Sequence, residues 1–181
     1  MDLFTAAMLG PVLTVAVYTD LRSQRIPNGL TFPAMACALA YHGLTNGPQG
    51  LLFALSGLGL GLGMMLGPFL IGCMGAGDVK LMAVVGAFLG PQQGLAAFLY
   101  TCLAGGLYAT IILARRSDVF SRVFKALWAS LWLFATTRRL QYAPVALGAG
   151  LPKLCYGLAI AAGTLVQVLA SLHEQGLLGR W

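Results

Sequence analysis

Only five carboxylate side chains occur in 181 residues, Asp2, Asp20, Asp78, Asp118 and Glu174, so the position of each carries information. Asp2 and Glu174 lie at the termini, and Asp118 opens a stretch where a carboxylate suits a helix N-terminus. Composition explains neither Asp20 nor Asp78. Asp20 ends an apolar run in Tyr18-Thr-Asp-Leu-Arg-Ser-Gln-Arg-Ile-Pro-Asn28, and Asp78 opens another in Gly75-Ala-Gly-Asp-Val-Lys80. Two carboxyls that converge on one water cannot both ionise; they share a proton, one drawing a proton from the water while the other donates to a carbonyl. That is the chemistry of aspartic proteolysis, and it requires neither a metal nor a cofactor.

The elements that must carry these acids follow from hydropathy. Hydrophobic residues make up 59% of the chain, charged residues 9%, and the mean hydropathy is +0.82, against about 25% charged residues in soluble proteins. This composition excludes a disordered chain, a collagen and a secreted disulfide scaffold. Uncharged stretches run from 3 to 19, 26 to 77, 81 to 114 and 154 to 172. A crossing takes about 20 apolar residues. The turn-forming clusters at 42–50 and 90–94 divide the two long stretches, giving six expected transmembrane segments: about 3 to 19, 29 to 44, 51 to 72, 78 to 89, 95 to 114 and 154 to 172. The fold class expected is an all-α integral membrane protein, a single polytopic domain over 1–181. With no basic residues before it, the first segment reads as a retained helix rather than a cleaved signal.

Charge sets the orientation. Six spans with the N-terminus outside put Arg22, Arg25, Lys80, Arg115, Arg116, Arg122, Lys125, Arg138, Arg139 and Lys153 on the cytoplasmic side and leave Arg180 outside. A seventh span over 119–137 would bury Arg122 and Lys125. An interfacial helix is preferred there, with Phe120, Phe124, Leu127, Trp128, Leu131 and Trp132 in the headgroup boundary. The net charge of +6 therefore reads as topology and lipid contact, with no nucleic-acid partner expected. The cysteines, Cys37, Cys73, Cys102 and Cys155, are too far apart for a disulfide framework or a zinc site. Glycines recur every fourth residue at 59, 63 and 67 and again at 57 and 61, a pattern that favours close helix packing.

Both acids fall on the cytoplasmic edge. From Asp78 to Leu89 a helix spans roughly 18 Å, less than a hydrocarbon core of about 30 Å, so Asp78 is expected below the surface. The segment 72–77 must then dip inward as irregular backbone, forming a water-filled notch. Gly75 and Gly77 supply backbone freedom there and leave room for an extended substrate.

At these residues the chain resembles the type IV prepilin peptidases, membrane aspartyl proteases with a GxGD motif. The matching patterns are Asp20 followed by Ile26-Pro27-Asn28, Gly75-Ala-Gly-Asp78 with Lys80, and Tyr156-Gly-Leu-Ala-Ile-Ala-Ala-Gly163 in the last segment. The resemblance implies that Asp20 and Asp78 are the catalytic pair. It also implies cleavage of the short basic leader of prepilin-like or pseudopilin-like proteins, at the cytoplasmic face of a bacterial inner membrane. Gly75, Gly77, Lys80, Pro27 and Asn28 support the site, Asn28 as the N-cap of the second helix and Lys80 as a tuner of Asp78 or a ligand for lipid phosphate. The cytoplasmic insertion with paired cysteines found in long, bifunctional members has no counterpart, so the chain resembles the short, peptidase-only form associated with Flp/Tad-type pili. Cys155 stands where many relatives have proline. Competing readings are a transporter using the two acids as a proton relay, which would place them near the midplane, and a pilus-assembly scaffold.

Overall fold

The computed structural model describes residues 3–70, 74–114 and 155–174, all of its regular structure α-helical. α1 spans Leu3–Ser23, α2 Asn28–Leu70, α3 Ala76–Ala114 and α4 Tyr156–Glu174. All four are long and apolar enough to cross a membrane. The chain divides into two compact units, Met1–Gly105 with Cys155–Trp181, and Gly106–Leu154; of the second, the described part is the helical end of α3, residues 106–114. The expected interfacial helix and its basic residues lie outside the described residues.

α2 and α3 are each interrupted at one residue. Gly47 (φ 60°, ψ −146°) and Gly90 (φ 76°, ψ −179°) take backbone angles open essentially to glycine alone, and each precedes a proline, Pro48 or Pro91. Glycine ends one helical limb and proline, whose missing N–H costs nothing in a first turn, begins the next. The interruptions fall inside the expected turn clusters but are much shorter. Helix continues through 42–46 and resumes at 48, where a loop to 50 was expected; likewise it resumes at 91 rather than 95. α1 also outruns its expected end, so Asp20 lies within the helix, one turn before its end.

The core forms around the first limb of α3. Residues 81–90 are buried on every side, as expected for a helix apolar all round. Leu9, Leu13 and Ala16 of α1, Ala34, Ala38 and Met65 of α2 and Ile160 of α4 pack into the same cluster. Close backbone approach holds α2 to α3: a methyl group on Gly57 would overlap the Gly86 carbonyl, and one on Gly61 would meet the Met82 carbonyl oxygen at 2.5 Å. The second glycine stripe differs from the expectation. Among the described residues, Gly59, Gly63 and Gly67 have no neighbouring atom within 4 Å of where a Cβ would stand, so it is the 57/61 stripe that meets α3. A similar approach joins α4 to α3, where Gly163 abuts Thr101.

At the Gly90 end, His42 is buried and its Nε2 lies 3.1 Å from the Phe88 carbonyl oxygen. That carbonyl belongs to the last turn before the break, where intrahelical donors run out. The imidazole therefore caps an interrupted helix, a role that no local pattern in the sequence signals.

Candidate active site

Asp20 and Asp78 are both buried, at 6% and 8% exposure. They come from the last turn of α1 and the first turn of α3 and lie near enough for the charge of one to act on the other. Each is fixed by a backbone amide. The Gly75 N–H donates to Asp78 Oδ2 at 3.1 Å, and the Asp78 N–H returns to the Gly75 carbonyl, also at 3.1 Å. This is one half of a capping box, with a third-position acid reaching back to the cap residue. The Gly157 N–H donates to Asp20 Oδ2 at 3.0 Å. Asp20 thus lies at the N-terminus of α4 as well as near the C-terminus of α1. Both carboxyls sit where a helix end presents free N–H groups and positive potential. Arg22, the nearest basic residue to Asp20 in sequence, instead donates to the Tyr18 hydroxyl at 2.9 Å.

Cys155 precedes α4, and its thiol is held above the ordinary value by burial first, then by the fields of Asp20 and Asp78. The start of α4 is therefore in electrostatic range of both acids. The Cys155 thiol and the Gly157 N–H were not expected to belong to this region; Gly157 fell within the third matching pattern, but nothing local marked it as a partner for an acid 137 positions away.

Each of the expected supporting residues has contacts of its own. Gly77 is needed for space, because a Cβ there would meet Ile26 Cβ at 3.0 Å and its backbone nitrogen at 3.3 Å. Gly75 is not so confined; a Cβ would lie 3.5 Å from Asp78 Oδ2, an ordinary contact, and neither glycine has a positive φ. The expected backbone freedom is thus not what either supplies. Pro27, rather than Asn28, caps α2: its carbonyl accepts the N–H groups of Leu30 and Thr31 at 3.1 and 3.4 Å. Asn28 Oδ1 instead accepts Lys80 Nζ at 2.8 Å, and the same ammonium lies 5.2 Å from the centre of the Phe32 ring. Lys80 is a tether between the start of α2 and the start of α3. Of the expected inward dip over 72–77, residues 72 and 73 lie outside the described residues, Met74 and Gly75 are non-helical, and the helix begins at Ala76.

The turn between α1 and α2 is tight. Gln24 has φ 51°, and its N–H donates to the Asp20 carbonyl at 2.8 Å, a left-handed helix ending made without glycine. Beyond it, Thr19, Ser23, Arg25, Ile26, Pro27 and Asn28 line an open cavity of about 430 Å³. Among the described residues no group of three or more His, Cys, Asp or Glu side chains is placed to hold a metal ion.

Fold and site together define an α-helical protein, with helices long and apolar enough to cross a membrane, that gathers two buried carboxyls at one end of its helices. The chain belongs to the type IV leader peptidase family, whose model matches residues 7–110 and so includes both acids. It is similar to the prepilin leader peptidase/N-methyltransferase of Bacillus subtilis (strain 168), with 34% identity over 111 residues, 60% of this chain and 44% of that relative. The chain thus matches less than half the length of this curated relative. No solved structure matches it.

Proposed function

We propose that this protein is a membrane-embedded aspartic endopeptidase that removes the leader from prepilin-like proteins, with Asp20 and Asp78 as its catalytic residues. The observation that carries this reading is the pairing of two buried carboxyls, each held through Oδ2 by one backbone amide. Oδ1 of each is then the atom that works on a water. One carboxylate takes a proton from that water as its oxygen adds to the scissile carbonyl carbon, and the protonated partner donates to the carbonyl oxygen. Collapse of the tetrahedral intermediate breaks the C–N bond, and the leaving nitrogen takes a proton from the dyad.

Six spans are part of the same proposal. A 43-residue helix is roughly 64 Å long, twice a hydrocarbon core of about 30 Å, so α2 fits a bilayer only as two crossings hinged at Gly47, and α3 likewise at Gly90. The first limb of α3, residues 76–89, is then about 21 Å long, which sets Asp78 below the membrane surface. The distribution of Lys and Arg favours a cytoplasmic site in the bacterial inner membrane. Substrate enters beside the 19–28 turn, with the apolar helix of the prepilin in the lipid and its basic leader toward the cytoplasm.

The test is co-expression with prepilin-like proteins, read as a leader-sized mobility shift, using wild type, Asp20→Asn and Asp78→Asn at matched membrane levels. Loss of the shift in both variants is expected. Cleavage by both would overturn the assignment and favour the transporter or scaffold reading.

A further inference from the structure

Asp20 reaches out of its own helix to another one. Its Oδ2 accepts the Gly157 N–H at 3.0 Å, in the first turn of α4, and a Cβ on Gly157 would stand 2.8 Å from that oxygen and 3.2 Å from Asp20 Cβ and Cγ. The contact is thus set twice, by a donor aimed at the carboxyl and by the absence of any side chain between them. Asp78 has the same arrangement through Gly75, but from within its own first turn, where sequence neighbours guarantee it. Asp20 has no such local guarantee. Its rotamer is fixed only if α4 starts in the right place, which Gly163 against Thr101 secures one and a half turns further on.

We infer that Gly157 is a positioning residue for the peptidase: its N–H holds Oδ2 of Asp20 so that Oδ1 faces the shared water and Asp78. This rests on the proposed dyad but makes a claim of its own, that α4 determines which oxygen of Asp20 reacts. A donor to a charged acceptor that is lost or displaced costs roughly ten- to a hundredfold in rate if the bond is needed in the transition state.

Two measurements test it. Tyr156-Gly157 is the one Tyr-Gly step in the sequence, so carbonyl-13C tyrosine with 15N glycine yields a single amide resonance from the full-length protein in micelles. That resonance is expected to move with pH as Asp20 titrates, to lose this dependence in Asp20→Asn, and to retain it in Asp78→Asn and Cys155→Ala, which remove two further titratable groups near the start of α4. In the second, Gly157→Ala is expected to lower kcat for leader cleavage at least roughly tenfold with KM within about twofold, and to displace the pH profile of kcat. A resonance indifferent to pH and to Asp20→Asn overturns the inference, as does a well-inserted Gly157→Ala enzyme with wild-type kcat. The resonance reads the contact without any turnover, so it stands even where Gly157→Ala does not accumulate. Continued cleavage by Asp20→Asn would instead sink the dyad while leaving the contact intact.

Discussion

The Gly77 backbone and the Ile26 side chain lie so close that a single methyl group between them would stand 3.0 Å from Ile26 Cβ. This contact locks the turn after Asp20 against the turn that carries Asp78, and with the Lys80–Asn28 bond it joins the segments bearing the two acids.

Substitution should therefore separate the two glycines of the Gly-x-Gly-Asp motif. Gly77→Ala forces Ile26 and its backbone to shift, an overpacking cost of about 1–3 kcal/mol, with leader cleavage falling at least in proportion. Gly75→Ala meets only an ordinary contact, and replacing a capping glycine by alanine costs about 1 kcal/mol or less. SDS-titrated unfolding in micelles, together with cleavage rates, checks the order; equal effects would remove the steric explanation.

Lys80 and Asn28 should be coupled energetically. Asn28 is exposed and Lys80 half-buried, so their charge-assisted bond is screened and contributes about 1 kcal/mol. A double-mutant cycle with Lys80→Met and Asn28→Ala is expected to show coupling of about that size. Lys80→Arg should recover part of it, because a guanidinium can still donate to Asn28 Oδ1. A cycle that closes at zero means that the tether carries no weight.

Thiol reactivity at Cys155 should report the two acids. Burial and the negative fields of Asp20 and Asp78 hold this thiol above its ordinary value, which lowers the thiolate fraction at neutral pH. Removing one negative neighbour lets the thiol ionise at lower pH. In a variant with Cys155 as the sole cysteine, maleimide alkylation at pH 7 is expected to be slow, to rise with pH through a point above the ordinary thiol range, and to speed up in Asp20→Asn. A slower reaction in Asp20→Asn contradicts the electrostatic picture.

His42 should matter for stability and not for chemistry. His42→Ala leaves the Phe88 carbonyl without its donor in a buried setting, a loss of about 1–3 kcal/mol, and opens space beside Phe53, whose ring meets the imidazole edge-on at 5.2 Å. Unfolding should shift accordingly while kcat and KM of the folded enzyme stay near wild type. A selective fall in kcat would show that this distant end communicates with the acids.

Much of this protein is legible in its sequence because the signals are local. Uncharged run length marks α1 to α4, the clusters of turn residues at 42–50 and 90–94 mark the interruptions at Gly47 and Gly90, and the rarity of acids singles out Asp20 and Asp78. Residue spacing along one helix also suffices for the Gly75–Asp78 capping contact. What only the tertiary structure decided is rotation and partnership: that it is Gly57 and Gly61 that meet α3, that Lys80 turns to Asn28, and that Asp20 is held by Gly157. The physical reason is that these helices are apolar nearly all round. Lipid tails attract leucine as well as a neighbouring helix does, so hydrophobic periodicity selects no face, and close backbone approach with a few directed hydrogen bonds sets how the helices meet.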